Sequence, residues 1–132
     1  MPGIKPQFQF NPTYISGVLP IFAKVTFAAS GVPTLVTSDY ASRGVVSITQ
    51  NGTGDYSFVL ESPALQVLAI NPTFASSTGI PAAPVVGIKG SYNTTTKTLN
   101  VITSDVETPA ATNPGSGETL YLTIWVKATT GA

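Results

Sequence analysis

Apolar and polar residues alternate along most of this chain, and a period of two residues is typical of a β-strand with one buried face. The first such run is FAKVTFAA, in which Ala23, Val25 and Phe27 share a face and the residues between them take the other. A short strand is predicted over 32–37, near a sheet edge, because Pro33 can only begin a strand or lie at an edge.

Two hairpins are predicted downstream of these strands. In the first, NGTG separates VVSITQ from DYSFVLE, and Asn51-Gly52 and Gly54 tolerate the positive φ that a tight reversal requires. The alternation places Val46 and Ile48 on one face of the incoming strand. The outgoing strand places large side chains on one face, namely Tyr56, Phe58 and Leu60. The second hairpin runs from VVGIKGSY through NTTTK to TLNVITS.

The segment between the hairpins predicts a short helix. Pro63 is followed by ALQVLAI, and proline is tolerated in a first helical turn while Ala, Leu and Gln favour propagation. We therefore predict a helix over 64–70 that is ended by Asn71-Pro72. After the second hairpin, residues 104–118 have the Pro- and Gly-rich composition of a long exposed loop, and loops of this length are usually functional or mobile.

The last strand, TLYLTIWVKA, has apolar side chains on both faces. Tyr121 and Trp125 lie on one face, and the other carries Leu120, Leu122, Ile124 and Val126. The outer face of a sandwich is normally solvated, so a second apolar face predicts a cover. The N-terminal segment, the helix over 64–70 and another subunit are three candidates for that cover.

Residues 1–20 are predicted to form an extended N-terminal arm, and residues 21–132 a β-sandwich domain. Prolines recur through the arm and fix φ, and Phe8, Phe10 and Tyr14 make it too apolar for a solvated linker. The arm is expected either to pack along its own domain or to dock on a neighbouring subunit. With about seven or eight strands and recurring turn signals, the chain is predicted to be all-β, an antiparallel sandwich or barrel that is jelly-roll-like.

Composition excludes several classes of function. The chain has 132 residues, long enough for one domain with a real core, and contains no histidine and no cysteine. Ser–His and Cys–His catalysis, the usual zinc sites and thiol redox chemistry are therefore excluded. Charged residues make up only 9%, and six basic residues balance six acidic ones. Nucleic acid is an unexpected partner for so neutral a surface, which is also poorly protected against self-association.

No leader or membrane-spanning segment is expected from the pattern. The N-terminus lacks a basic segment followed by an apolar run, and no apolar stretch approaches the ~20 residues that span a bilayer. NGT and NTT match the glycosylation pattern but are interpreted as turns.

The remaining candidates for chemistry are few. Asp55 and Glu61 stand at opposite ends of one strand, too far apart for joint catalysis. Asp105 and Glu107 could supply calcium oxygens, although a solvated acidic loop is the expected alternative. Exposed aromatic residues on a β-scaffold can also stack on sugars, with Tyr121 and Trp125 as the candidates. We predict no enzymatic activity, no cofactor and no metal.

The span RGVVSITQNGTGDYSFVLESPALQVLA, residues 43–69, resembles a segment of small structural proteins of tailed bacteriophages. In those proteins a strand after a glycine is followed by a Gly-containing turn, an aromatic strand of the form GxYxxxL and a leucine-bearing stretch. The matching residues are Gly54, Tyr56, Leu60, Ala64, Leu65 and Leu68. The resemblance implies a virion component made in the host cytoplasm, a decoration or cement protein on the capsid exterior.

The resemblance also implies a homotrimer whose partner is the major capsid protein. Interface residues are then expected in the arm, at Phe8, Phe10 and Tyr14, and on the last strand, at Tyr121 and Trp125. The alternative is a receptor- or glycan-binding β-module of a phage tail fibre or spike, with contacts from loop 104–118.

Overall fold

The computed structural model describes residues 17–61 and 64–127, which form eight β-strands and two single-turn 3-10 helices. The strands are β1 (Val18–Phe27), β2 (Pro33–Leu35), β3 (Val45–Gly52), β4 (Asp55–Leu60), β5 (Gln66–Ala75), β6 (Val85–Ile88), β7 (Thr98–Ser104) and β8 (Thr119–Lys127). They pair into two four-stranded antiparallel sheets, in the orders β2-β1-β8-β5 and β3-β4-β7-β6. The all-β prediction is confirmed, and the sheets form a sandwich rather than a closed barrel.

The core lies between the two sheets and is built from alternating side chains. Tyr56, Phe58 and Leu60 of β4 are fully buried, as the period of two predicted. The facing sheet contributes the buried residues Ala23, Val25, Phe27, Leu120, Leu122, Ile124 and Val126. Both predicted hairpins are present, as the pairs β3–β4 and β6–β7.

The first strand begins earlier than the alternation in FAKVTFAA indicated. Val18, Leu19 and Pro20 already pair with β8, in register with Lys127, Val126 and Trp125. The described chain therefore enters the fold at one end of the β2-β1-β8-β5 sheet. Gly17, just before this strand, has a φ of 80°.

The helix predicted over 64–70 is wrong, because Gln66–Ala75 form β5 along β8. The strand also continues through Asn71-Pro72, which was expected to end the element. Among residues 17–61 and 64–127, β5 is an edge strand with β8 on one side only, so Pro72 is tolerated there.

A β-bulge explains why sequence reasoning missed this strand. The register of β5 shifts between Val67 and Ala69, so Leu68 is an extra residue. Val67 and Ile70 both pack against the core, although they are three positions apart. That spacing is typical of a helix, whereas a bulge produces it in a strand.

A second bulge changes the predicted facing of β3. Its register shifts between Val45 and Ser47, so Val45 is buried while Val46 is 59% exposed. The prediction that Val46 and Ile48 share a face is therefore wrong, because the extra residue puts them out of phase.

Loop 104–118 is anchored to the sandwich by hydrogen bonds. The Asn113 Oδ1 atom accepts the N–H of Gly54 at 2.8 Å and the side-chain amide of Gln50 at 3.3 Å. The Thr103 hydroxyl donates to the Thr112 carbonyl at 2.6 Å. These bonds hold the second half of the loop against the β3–β4 hairpin and the end of β7.

Candidate interaction face

The two outer faces of the sandwich differ in chemistry. On the β3-β4-β7-β6 sheet, the Ser57 hydroxyl donates to Asn100 at 2.6 Å and accepts from the Asn51 side chain at 2.6 Å. An ion pair joins Lys89 to Asp55 at 2.6 Å. Polar groups on this face are thus paired with one another.

The outer face of the β2-β1-β8-β5 sheet instead carries exposed aromatic side chains. Phe22 is 46% exposed and Tyr121 is 47% exposed, and Trp125 is partly exposed beside them. Three rows of register-paired residues cross the sheet here: Pro20–Trp125–Ala69, Phe22–Thr123–Asn71 and Lys24–Tyr121–Thr73. We call this surface the aromatic face and define it by Phe22, Tyr121 and Trp125.

The indole of Trp125 is held in place by a neighbouring strand. Its Nε1–H donates to the Asn71 Oδ1 atom at 2.8 Å. Asn71 lies one row further along β5 than Ala69, which pairs directly with Trp125. The side chain therefore reaches diagonally over the sheet towards β5, and an ordered aromatic group can pack against a partner at a low entropic cost.

Lys24 and Arg43 lie beside the aromatic side chains of this face. The Lys24 Nζ atom lies 5.6 Å from the centroid of the Tyr121 ring, within range of a cation–π interaction. Arg43 forms an antiparallel bridge with Phe22, so the two side chains lie on the same side of the sheet. The Arg43 guanidinium lies 5.5 Å from the Tyr40 ring. Within residues 17–61 and 64–127, neither Lys24 nor Arg43 pairs with a carboxylate.

The two site residues predicted on the last strand, Tyr121 and Trp125, lie on the same face of β8. The predicted arm residues Phe8, Phe10 and Tyr14 lie outside the described residues, so that part of the site stays a prediction.

Four residues in or beside the aromatic face were not among the predicted site residues: Phe22, Lys24, Arg43 and Tyr40, which lies against Arg43. The alternation in FAKVTFAA already put Phe22 opposite the buried Ala23, so a signal for it existed. Tyr40 and Arg43 come from the turn-like SDYASRG, whose local pattern says nothing about the strand it will meet.

The structure narrows the choice of cover for this face. β5, which replaces the predicted helix over 64–70, lies beside β8 in the same sheet and does not cover the face. The N-terminal segment and another subunit remain as candidates.

The carboxylates do not assemble into a site in the described part of the chain. Asp55 pairs with Lys89, whereas Glu61 follows the opposite end of β4. Asp105 Oδ1 accepts the backbone N–H groups of Glu107 and Thr108 at 3.0 and 2.6 Å. No group of three or more metal-ligating Asp, Glu, His or Cys residues is present in residues 17–61 and 64–127. Across these same residues, no helix has the length and apolar character needed to cross a membrane.

A groove of about 400 Å³ opens between β5 and the end of β6. Its walls include Leu65, Val67, Ile88, Tyr92 and Leu99. Trp125 is not part of this wall, so the aromatic face is a separate surface.

Comparison with known proteins does not assign the chain to a family. No protein-family model, no curated protein and no solved structure matches it. The chemistry of the aromatic face is therefore the starting point for function.

Proposed function

We propose that the chain is a non-enzymatic structural protein of a phage virion that decorates or cements the capsid by binding at junctions between shell subunits. The aromatic face carries the proposal. A sheet surface with exposed Phe22 and Tyr121 and partly exposed Trp125 has the composition of a protein–protein contact. The two cations beside it, Lys24 and Arg43, have no carboxylate partners among the described residues.

The size and composition of the face suit such a contact. Three strands of nine or ten residues form most of it. At usual strand dimensions they span about 30 by 15 Å, roughly 450 Å² in flat projection. This is of the same order as the ~800 Å² that each partner buries in a standard interface. Fully burying a large apolar side chain contributes about 1.5–3 kcal/mol, and these aromatic side chains are already about half buried, so each has roughly half of that left to contribute on binding.

The edges of the sandwich are poorly suited to association, which favours the face. β2 and β6 are short edge strands of three and four residues. The two longer edge strands, β3 and β5, are interrupted by bulges, and β5 also contains Pro72. Short strands, bulges and prolines at an edge prevent the addition of another strand.

The arm extends this proposal to the shell. Phe8, Phe10 and Tyr14 are proposed to contact the major capsid protein, while the aromatic face joins neighbouring subunits. Binding through two surfaces strengthens the shell more than binding through either one, because once the first contact has formed the second forms at a high effective concentration.

The test uses particles of the phage that encodes the chain. Antibodies against the purified protein should label the outside of intact virions. Shells that lack the protein should release DNA at a lower temperature, and adding the purified protein should restore the wild-type temperature.

Two variants and one control connect this assay to the residues. The temperature of DNA release should be restored less well by Tyr121→Ser and by the triple variant in which alanine replaces Phe8, Phe10 and Tyr14. Val46→Ser, which removes an exposed apolar side chain from the other sheet, should restore it fully. Absence of the protein from intact virions would reject the proposal. Full restoration by the triple variant would reject the role proposed for the arm.

The second candidate is a receptor- or glycan-binding β-module of a tail fibre or spike. The Trp125–Asn71 hydrogen bond favours it, because an ordered indole beside the hydroxyl of Thr123 can stack on a sugar ring. Titration with a panel of bacterial surface glycans, followed by Trp125 fluorescence, tests this candidate. Saturable quenching that is lost in Thr123→Ala would support it, and no change with any glycan would reject it.

A further inference from the structure

Two cations and two acidic residues of this molecule lie in different parts of the fold. Lys24 and Arg43 lie beside the aromatic face, in the β2-β1-β8-β5 sheet. Asp105 and Glu107 belong to the loop that leaves β7, in the other sheet. Val106 lies between these two acids and is 72% exposed. We call residues 105–107 the acidic tip.

The acidic tip has a defined shape and keeps its charge. Asp105 Oδ1 accepts two backbone N–H groups, from Glu107 and Thr108, and so closes the turn. The hydrogen bond from the backbone of Thr108 lowers the pKa of Asp105, which is partly exposed. An exposed valine is thereby presented between two acidic side chains on a short turn.

Within the described part of one chain, the cations beside the aromatic face form no ion pair with the acidic tip. The ion pair between Lys89 and Asp55 involves neither the cations of the aromatic face nor the acidic tip. The two surfaces are complementary in composition, since one offers apolar rings with cations beside them and the other offers an apolar side chain bordered by anions. Complementary charges of this kind select a partner and fix its register.

We propose that the acidic tip of one copy of this chain docks on the aromatic face of a second copy. Val106 then packs against the rings of Phe22 and Tyr121, and the acidic side chains lie beside Lys24 and Arg43. This inference rests on the proposed function only in taking the aromatic face to be a contact between subunits.

The contact joins two different surfaces, so it is heterologous. Heterologous contacts close into rings when the rotation between subunits allows it, and they form open chains otherwise. A closed ring of three copies is the homotrimer that the sequence resemblance implies. In such a ring every aromatic face is covered by a neighbour, and the arms remain available for the shell.

Charge reversal tests the pairing directly. Light scattering and sedimentation of the full chain should show a concentration-dependent oligomer. Arg43→Glu and Glu107→Lys should each weaken the association at least tenfold, because like charges then face each other. The double variant R43E/E107K should return to within threefold of wild type. Lys97→Glu and Glu61→Lys make the same charge changes elsewhere and should leave the association unchanged.

Cross-linking tests the apolar part of the contact. The chain has no cysteine, so single cysteines can be introduced without competing thiols. Mixing Val106→Cys copies with Thr123→Cys copies under mild oxidation should give a disulfide-linked dimer. Mixing Val46→Cys copies with Thr123→Cys copies should give at least fivefold less, because Val46 lies on the other sheet.

Several results would overturn the inference. The inference is wrong if the wild-type protein stays monomeric at millimolar concentration. It is also wrong if the oligomer tolerates both single charge reversals, or if the double variant associates no better than the single variants. None of these results bears on whether the protein is found on virions. Labelled virions with a monomeric free protein would therefore reject this inference and leave the proposed function standing.

Discussion

Removing one buried hydroxyl group tests how the loops at one end of the sandwich are held. Tyr56 is 1% exposed, and its hydroxyl donates a 2.7 Å hydrogen bond to the carbonyl of Gly31. In Tyr56→Phe the Gly31 carbonyl stays buried without this donor. Leaving a buried acceptor unpaired costs about 1–3 kcal/mol, so we expect the free energy of unfolding to fall by that amount at neutral pH.

The same hydroxyl makes this cost depend on pH. Burial raises the pKa of Tyr56 from 10.0 to about 12. Between these values the unfolded chain has lost the phenolic proton and the folded chain has kept it. The contribution of the Tyr56 hydroxyl to the free energy of unfolding is therefore complete below pH 10. Above pH 10 this contribution falls by about 1.4 kcal/mol per pH unit, until the hydroxyl of the folded chain also loses its proton. The Phe variant has no proton to lose at this position, so its deficit should shrink by about 1.4 kcal/mol at pH 11 and by about 2 kcal/mol at pH 12.

Urea unfolding followed by far-ultraviolet circular dichroism, from pH 7 to 11.5, measures this difference. Tyr40→Phe is the matched control, because Tyr40 is 80% exposed and its removal should leave a difference near zero at every pH. A deficit of Tyr56→Phe that stays constant up to pH 11.5 would refute the reasoning. If burial raises the pKa of Tyr56, the free energies of unfolding of the two proteins must approach each other above pH 10.

Three further predictions concern single residues. Gly54 has a φ of 62° and an added Cβ would lie 2.7 Å from a backbone oxygen, so Gly54→Ala should cost about 2 kcal/mol or more in urea unfolding. Gly52→Ala meets nothing within 4 Å and should cost less than about 0.5 kcal/mol; equal losses would contradict the described hairpin. Buried Glu118 accepts a backbone N–H at 2.9 Å, so Glu118→Ala should cost about 1–3 kcal/mol and Glu118→Gln, which keeps an acceptor, less than about 1. The reverse order would show that the charge, not the acceptor, matters. Asn71→Ala should lower the fluorescence anisotropy of Trp125, the single tryptophan, and unchanged anisotropy would mean that another contact holds the indole.

The strands whose facing was predicted correctly along their length are those whose alternation is uninterrupted. In β4 and β8 every second side chain is buried, so a period of two could be read directly. β5 was predicted as a helix because its bulge at Leu68 breaks that period. Val46 was assigned to the wrong face for the same reason. Bulges depend on the partner strand, which local sequence does not contain.

In the candidate site too, residues of one strand were predicted and a residue brought in by a distant contact was not. Tyr121 and Trp125 were predicted because they share one face of one strand. Arg43 was not, because only the bridge to Phe22, 21 positions away, brings it there.

The sequence by itself determined the facing of each regular strand, the two hairpins and the exclusion of histidine- and cysteine-based chemistry. These properties depend on residue type and on the geometry of a single extended segment. The tertiary structure decided which strands pair, where the bulges lie and that the exposed aromatic side chains of β1 and β8 share one outer face. It also separated Lys24 and Arg43 from Asp105 and Glu107, because the sheet to which each segment belongs is settled by contacts between residues far apart in the chain.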